Sequence, residues 1–258
     1  MKFALATLTA ALALPALPTA VHAEDAPSTS FNVGVVSDYR YRGISQSRLK
    51  PALQGGADYS NPNGLYLGTW LSTISWIKDA GKLVTPNVNT GSTPVEWDLY
   101  GGYKGEITKA LSYDVGGLYY AYVGNKTTNA GGANANTFEI YGALTFGMFT
   151  GKYSHALTNT FGFPDSKGSG YLDLSANVDL GSGFTLTPHI GRQEIKRLSA
   201  ASYTDYSLTL GKDMGGGISL SAALIGTDAD KDKYFTPLSD GKKFTGKNAL
   251  VLGAKFSF

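Results

Sequence analysis

Charged residues in this chain recur two positions apart. Asp38, Arg40 and Arg42 follow one another at that spacing, and so do Glu96 and Asp98. Residues two apart fall on one face of a β-strand, so each set would line a single wall. Glu139, Asp173 and Asp205 hold matching places in later segments, with Lys104, Lys152 and Lys255 as basic counterparts. Carboxylates ringed around enclosed water favour cations. In a dry interior the same carboxylates would pair with Arg40 and Arg42 and close the space. The sequence leaves both outcomes open.

Other chemistry is sparse. Cysteine is absent, which excludes disulfides, thiolate metal ligands and thiol nucleophiles. Of three histidines only His155 and His189 lie beyond the first 23 residues. His155 alternates with Tyr153 and Leu157 on an apolar face. His189 shares a polar face with Thr185 and Thr187 and has no serine nucleophile fixed beside it, so no triad is expected and His189 is read as a solvated wall residue. No metal cluster and no cofactor site emerge. Asp213-Met214-Gly215-Gly216-Gly217 precedes a strand-like run rather than a helix, and so reads as a turn and not as a phosphate cradle. Lys and Arg total 22 against 20 Asp and Glu, with no basic stripe, which argues against a nucleic-acid partner.

The elements that would carry these residues begin with an export signal. Lys2 is followed by an apolar run from Phe3 to Leu14, Pro15 and Pro18 cut it short of a spanning helix, and Val21-His22-Ala23 suits cleavage after Ala23. The expected division is a signal peptide over 1–23 and one domain over 24–258. Removing Lys2 would take the formal charge from +2 to +1.

Beyond that point about twelve alternating segments can be drawn, each near the 9–11 residues a tilted strand needs to cross a bilayer. They are Phe31–Arg42, Pro51–Tyr59, Leu65–Trp76, Val95–Lys104, Leu111–Val123, Thr137–Phe146, Met148–Leu157, Tyr171–Leu180, Phe184–Gln193, Tyr203–Lys212, Ile218–Thr227 and Asn248–Phe258. Connections after even segments are tight and rich in Asn, Asp and Gly, as hairpin turns require. Those after odd segments are longer and polar. The last segment puts Leu250, Leu252, Ala254, Phe256 and Phe258 on one face and ends on an aromatic residue. Aromatic residues near segment ends (Tyr39, Tyr59, Trp76, Trp97, Tyr103, Tyr171, Phe184, Tyr203) would form interfacial girdles. The composition, with 33 Gly, 16 Tyr and 12 Phe, suits a barrel wall. The expected fold is all-β: a transmembrane, antiparallel, up-and-down barrel with short turns at the periplasmic end and long loops outside. A soluble barrel would show the same alternation; the leader, the terminal Phe and the loop asymmetry argue for the membrane. Pro188 conflicts with its mid-strand place, because it has no N–H for the ladder.

Two stretches carry a family resemblance. Val36-Ser37-Asp38-Tyr39-Arg40-Tyr41-Arg42-Gly43-Ile44-Ser45-Gln46-Ser47, then Pro51-Ala52-Leu53-Gln54-Gly55-Gly56 and Leu65-Tyr66-Leu67-Gly68-Thr69-Trp70, form the first; Glu96-Trp97-Asp98-Leu99-Tyr100-Gly101-Gly102-Tyr103 is the second. Together they resemble the TorF family of proteobacterial outer-membrane porins. The resemblance implies a barrel with a channel role; it assigns no substrate and no catalytic residue.

The expected function is passive passage of small hydrophilic solutes or ions, with a cation preference. Asp38, Arg40, Arg42, Glu96, Asp98, Glu139, Asp173 and Asp205 would line the outer mouth. Lys104, Lys152 and Lys255 would line the inner end with Asp58, Asp114 and Asp179, and Phe256 and Phe258 would serve as assembly signal. Expected partners are outer-membrane lipid and lipopolysaccharide, the barrel-assembly machinery, and the solutes themselves; oligomeric state stays open. The alternatives are a narrow or plugged barrel with a structural or binding role, and an outer-membrane hydrolase.

Overall fold

Period-two alternation becomes a closed wall of 12 antiparallel strands. The computed structural model describes residues 26–83, 86–238 and 241–258; the expected signal peptide lies outside the described residues. The strands are β1 (Ser28–Val36), β2 (Ala52–Ser60), β3 (Leu65–Thr73), β4 (Val95–Thr108), β5 (Leu111–Ala121), β6 (Thr137–Phe146), β7 (Phe149–Ala156), β8 (Gly170–Ala176 continued by Val178–Gly181), β9 (Phe184–Glu194), β10 (Tyr203–Gly215), β11 (Ile218–Thr227) and β12 (Ala249–Ser257). Each strand pairs with its neighbour in sequence, and β12 returns to β1, with Val33 opposite Phe256 and Val35 opposite Ala254. No sheet edge is left in the barrel, which removes the unpaired backbone that hydrocarbon could not solvate.

The two faces of the wall differ in chemistry. Phe31, Val33, Leu67, Leu99, Ile140, Leu224 and Leu252 point outward and are exposed. Asn32, Gln54, Ser72, Glu96, Glu139, Thr187 and Thr209 point inward and are buried. An apolar belt of this extent on a water-soluble protein would drive aggregation. Around a barrel it matches hydrocarbon, where an outward Lys or Arg at mid-depth would cost about 2–4 kcal/mol. Tight turns join the strands at one end, such as 61–64 and 182–183, and the long connections gather at the other.

The inner wall explains part of the glycine content. Tyr66 lies directly across the ladder from Gly102, and Tyr141 from Gly116. A Cβ on Gly102 would come within 2.5 Å of the Tyr66 hydroxyl, and one on Gly116 within 2.6 Å of the Tyr141 hydroxyl. Glycine there lets each ring lie flat against the wall.

Several sequence expectations need correction. The first strand ends at Val36, so Tyr39, Arg40 and Arg42 belong to a loop and not to the wall. Tyr39, Tyr171 and Tyr203 are buried inside the barrel, and Trp76 sits in a short helix, Trp76–Ala80. The expected girdle therefore loses these four, while Trp97, Tyr103 and Phe184 do face outward. Pro188 is tolerated because it faces Ala176, where the pairing of β8 with β9 is interrupted. Ser175 pairs with His189 and Val178 with Leu186, so the register is continuous while Asn177 leaves the ladder. On its other side Asn177 N–H donates to the Met148 carbonyl at 2.8 Å, continuing the register with β7. A bulge is not needed.

Candidate functional site

The loop end of the barrel is filled from within. After β1 the chain turns inward as residues 37–51 and forms a small hairpin, Arg40–Tyr41 against Ile44–Ser45. Its tip needs left-handed backbone: Arg42 has φ +46° and Gly43 φ +77°. A Cβ on Gly43 would lie 2.4 Å from Thr227 Cγ2 and 2.8 Å from Asp205 Cβ, so only glycine lets the tip touch the wall. Arg42 bears a left-handed cost of order 1–3 kcal/mol, so contacts around the tip must hold it there.

Those contacts come from two arginines. Arg40 Nε donates to Asp38 Oδ2 at 2.6 Å, and Arg40 Nη1 donates to the carbonyls of Gly43, Thr245 and Lys247 at 2.9–3.1 Å. Ser45 Oγ and Ser47 Oγ donate to Asp38 Oδ1 at 2.5 and 3.2 Å. This latches the inserted loop to the last long loop. Arg42 reaches across the lumen: Nη1 and Nη2 donate to the two oxygens of Glu139 at 3.0 and 2.7 Å, and Nη1 also donates to Gln193 Oε1 at 2.7 Å. Its guanidinium stands 4.2 Å from the Tyr171 ring centroid and 4.8 Å from that of Tyr41. A forked, ring-sandwiched Arg–carboxylate pair has directional strength as well as charge.

The remaining acids differ in their partners. Glu96 accepts from the Tyr39 hydroxyl and, at 2.5 Å, from that of Tyr122. Asp98 Oδ1 is buried without a hydrogen-bond partner. No arginine, lysine or histidine forms an ion pair with either carboxylate among the described residues. Asp173 and Asp205 flank His189, whose Nε2 lies 3.0 Å from Asp173 Oδ2 and Nδ1 3.6 Å from Asp205 Oδ2. The Tyr171 hydroxyl donates to Asp205 Oδ1 at 2.9 Å. His189 is thus enclosed between carboxylates and not a solvated wall residue. Its hydrogen-bond partners among the described residues include no serine.

At the turn end, tyrosines space the charges. Tyr66 donates to Asp114 Oδ1 at 2.6 Å and Tyr100 to Asp58 Oδ1 at 2.5 Å. Lys152 sits 3.9 Å from the Tyr141 ring centroid and Lys104 5.8 Å from that of Tyr66. Lys255 lies on the inward face of β12, half-buried. Asp179 is the exception, exposed and capping the Gly181 N–H at 2.8 Å in a turn.

The structure thus gathers Arg42, Glu139, Asp173 and Asp205 around one cluster and leaves Asp38 and Arg40 as a separate latch. Sequence reasoning missed Tyr41, Tyr120, Tyr122, Phe161 and Ile77, which fill the loop end beside the charges. One signal was present: Val36, Ala52, Ala223 and Val251 occupy inward phases where a wholly aqueous lumen would want polar residues. Among the described residues, no group of three or more His, Asp or Glu could hold a metal ion.

A closed barrel with an apolar outside, charges inside and long loops at one end has a counterpart in sequence. The model of a bacterial protein family of unknown function, Gcw_chp, matches residues 21–258. The chain belongs to this family. No curated protein matches it in sequence. Solved structures do match in shape. KdgM porin superposes with a TM-score of 0.55 at 7% identity, over 89% of this chain and 99% of that one. KdgM porin in complex with disordered oligogalacturonate gives 0.53 at 7% identity, over 90% and 99%. NanC porin gives 0.51 at 12% identity, over 89% and 99%. At such identities the likeness speaks to fold alone, and the fold is that of outer-membrane porins.

Proposed function

We propose that this chain is an outer-membrane porin that passes small hydrophilic solutes or ions and prefers cations, its lumen narrowed at the loop end by the inserted hairpin. The observation that carries the reading is the state of the interior acids. Arg40 and Arg42 are consumed by Asp38 and Glu139, and His189 by Asp173 and Asp205, while Glu96 and Asp98 keep no cationic partner. Net negative charge in a narrow passage concentrates cations. Glu96, Asp98, Glu139, Asp173 and Asp205 then line the outer part of the pore from the wall, Asp38, Arg40 and Arg42 line it from the inserted loop, and Lys104, Lys152 and Lys255 lie further in. The same charge opposes a polyanion such as the oligogalacturonate in the KdgM complex.

Membership of the TorF porins goes with this reading on the motifs around Asp38–Ser47 and Glu96–Tyr103. So do export through a leader over 1–23, loops facing the cell exterior, lipid and lipopolysaccharide around the belt, and recognition of Phe256 and Phe258 by the barrel-assembly machinery. A hydrolase is not proposed: the His189 ring nitrogens face Asp173 and Asp205, and its hydrogen-bond partners among the described residues include no serine.

A narrow, plugged barrel is the second reading, favoured by the Arg42–Glu139 fork and the rings packed beside it. Single-channel recording of refolded protein under a salt gradient decides. Steps with a cation-selective reversal potential support the porin; anion selectivity overturns the cation preference; a silent, folded barrel supports the plug.

A further inference from the structure

Above the Arg42–Glu139 fork the long loops enclose a second feature that the channel reading does not use. It is a cavity of about 230 Å³ between the inserted hairpin, the short helix and the loops that follow β7, β9 and β11. Its walls include Trp76, Tyr122, Phe161, Phe163, Tyr203 and Tyr234. The rings brace one another edge to face: Trp76 and Tyr122 at 5.0 Å and 82°, Tyr203 and Tyr234 at 5.0 Å and 73°. Phe161 holds a left-handed backbone, φ +46°, while it packs edge-on against Tyr41 and Tyr120. The walls are thus rigid and built, not a chance gap between side chains.

We propose that this cavity is a binding site for a small aromatic solute. Size comes first. An apolar cavity of roughly 150 Å³ takes up benzene, so this one has room for a bicyclic ring or a substituted single ring. Polarity comes second. The tyrosine hydroxyls that could serve a sugar are spent elsewhere: Tyr122 donates to Glu96 and Tyr234 to the Ala201 carbonyl, each at 2.5 Å. A saccharide would bring hydroxyl groups with few partners, and each unpaired buried hydroxyl weakens binding. Charge comes third. The ion pair on the wall is internally satisfied: Arg48 forks onto Asp79 through Nε and Nη2, and Thr236 Oγ1 donates to the same carboxylate at 2.9 Å. Lys233, the other cation on the wall, is exposed and forms no ion pair among the described residues, so charge does not select against an anionic ring. Flat ring faces meeting ring edges remain as the recognition chemistry.

Binding is tested without current, so a non-conducting barrel leaves the test intact. Equilibrium dialysis of folded protein in nanodiscs against indole should give a saturable component above lipid partition. Glucose should show no saturable binding. Ala80→Phe, which fills the cavity from the short helix, should weaken indole at least tenfold. Phe163→Ala, which removes one wall, should weaken it severalfold and decides the matter if Ala80→Phe fails to fold. No saturable indole binding, binding unchanged in the folded variants, or preference for glucose would each overturn the proposal.

Discussion

Arg42, at the tip of an inserted hairpin, grips Glu139 on the far wall of the barrel with two separate guanidinium nitrogens. The two residues are 97 positions apart, and their side chains are 7% and 3% exposed. Removing one partner of such a pair leaves the other buried and uncompensated. Arg42→Ala should destabilise the folded barrel by about 3–5 kcal/mol, and Glu139→Gln added to it should restore most of that. Both variants should conduct more than the parent if the fork narrows the pore. Unfolding curves and single-channel amplitudes measure the two effects; unchanged stability in Arg42→Ala would show that the fork carries no net weight.

Glu96 and Asp98 should set ion selectivity. Glu96→Gln with Asp98→Asn removes the acids that lack a cationic partner and keeps side-chain volume. Reversal potentials in a salt gradient should move toward zero. The difference from the parent should be larger at 0.01 M than at 0.1 M salt, where the screening length falls from roughly 30 to 10 Å. Equal reversal potentials for parent and variant would place selectivity elsewhere.

The Arg40 latch joins the inserted hairpin to residues 245 and 247 by two carbonyl contacts, with a third to Gly43 within the hairpin itself. Arg40→Ala should free the hairpin while β1 to β12 stay paired. Hydrogen exchange should speed up over 38–48, with the amide of Ser45, which donates to the Thr245 carbonyl at 3.0 Å, among the first to lose protection. Exchange rates equal to the parent throughout that stretch would mean that packing alone seats the hairpin.

Phe258 closes the barrel seam. Its N–H donates to the Phe31 carbonyl at 3.0 Å, its carbonyl accepts from Phe31 N–H at 2.8 Å, and the two rings stack at 5.9 Å. Phe258→Asp places a charge on the lipid face at that seam and should lower the yield of heat-modifiable, folded protein in the outer membrane. Parental levels of folded Phe258→Asp would show that neither seam nor assembly depends on the ring.

Much of the wall was legible in the residues themselves. Thr137–Phe146 and Ile218–Thr227 are strands with the bounds that alternation predicts, and the other segments differ mainly at their ends. The inward and outward phases of Glu96, Asp98, Leu99 and Leu224 also follow directly. The reason is locality: a strand's period of two and a turn's need for Asn, Asp or Gly are written within about ten residues. For the same reason the charged positions could be placed on inner walls, and Pro188 could be singled out as a conflict.

What fills the interior was decided by tertiary structure. Asp38, Tyr39, Arg40 and Arg42 alternate as a strand would, yet the chain leaves the wall after Val36 because Arg42 finds Glu139, Tyr39 finds Glu96, and Arg40 finds the carbonyls of Thr245 and Lys247. Tyr171 and Tyr203 share the inward phase of Asp173 and Asp205, and only the tertiary structure supplies what they meet there, the Arg42 guanidinium and the Tyr234 ring. The aromatic cavity draws on residues from Tyr41 to Thr245. No periodic pattern reports such contacts. Their partners lie far apart along the chain and meet only once the barrel has closed and brought opposite walls within reach of one side chain.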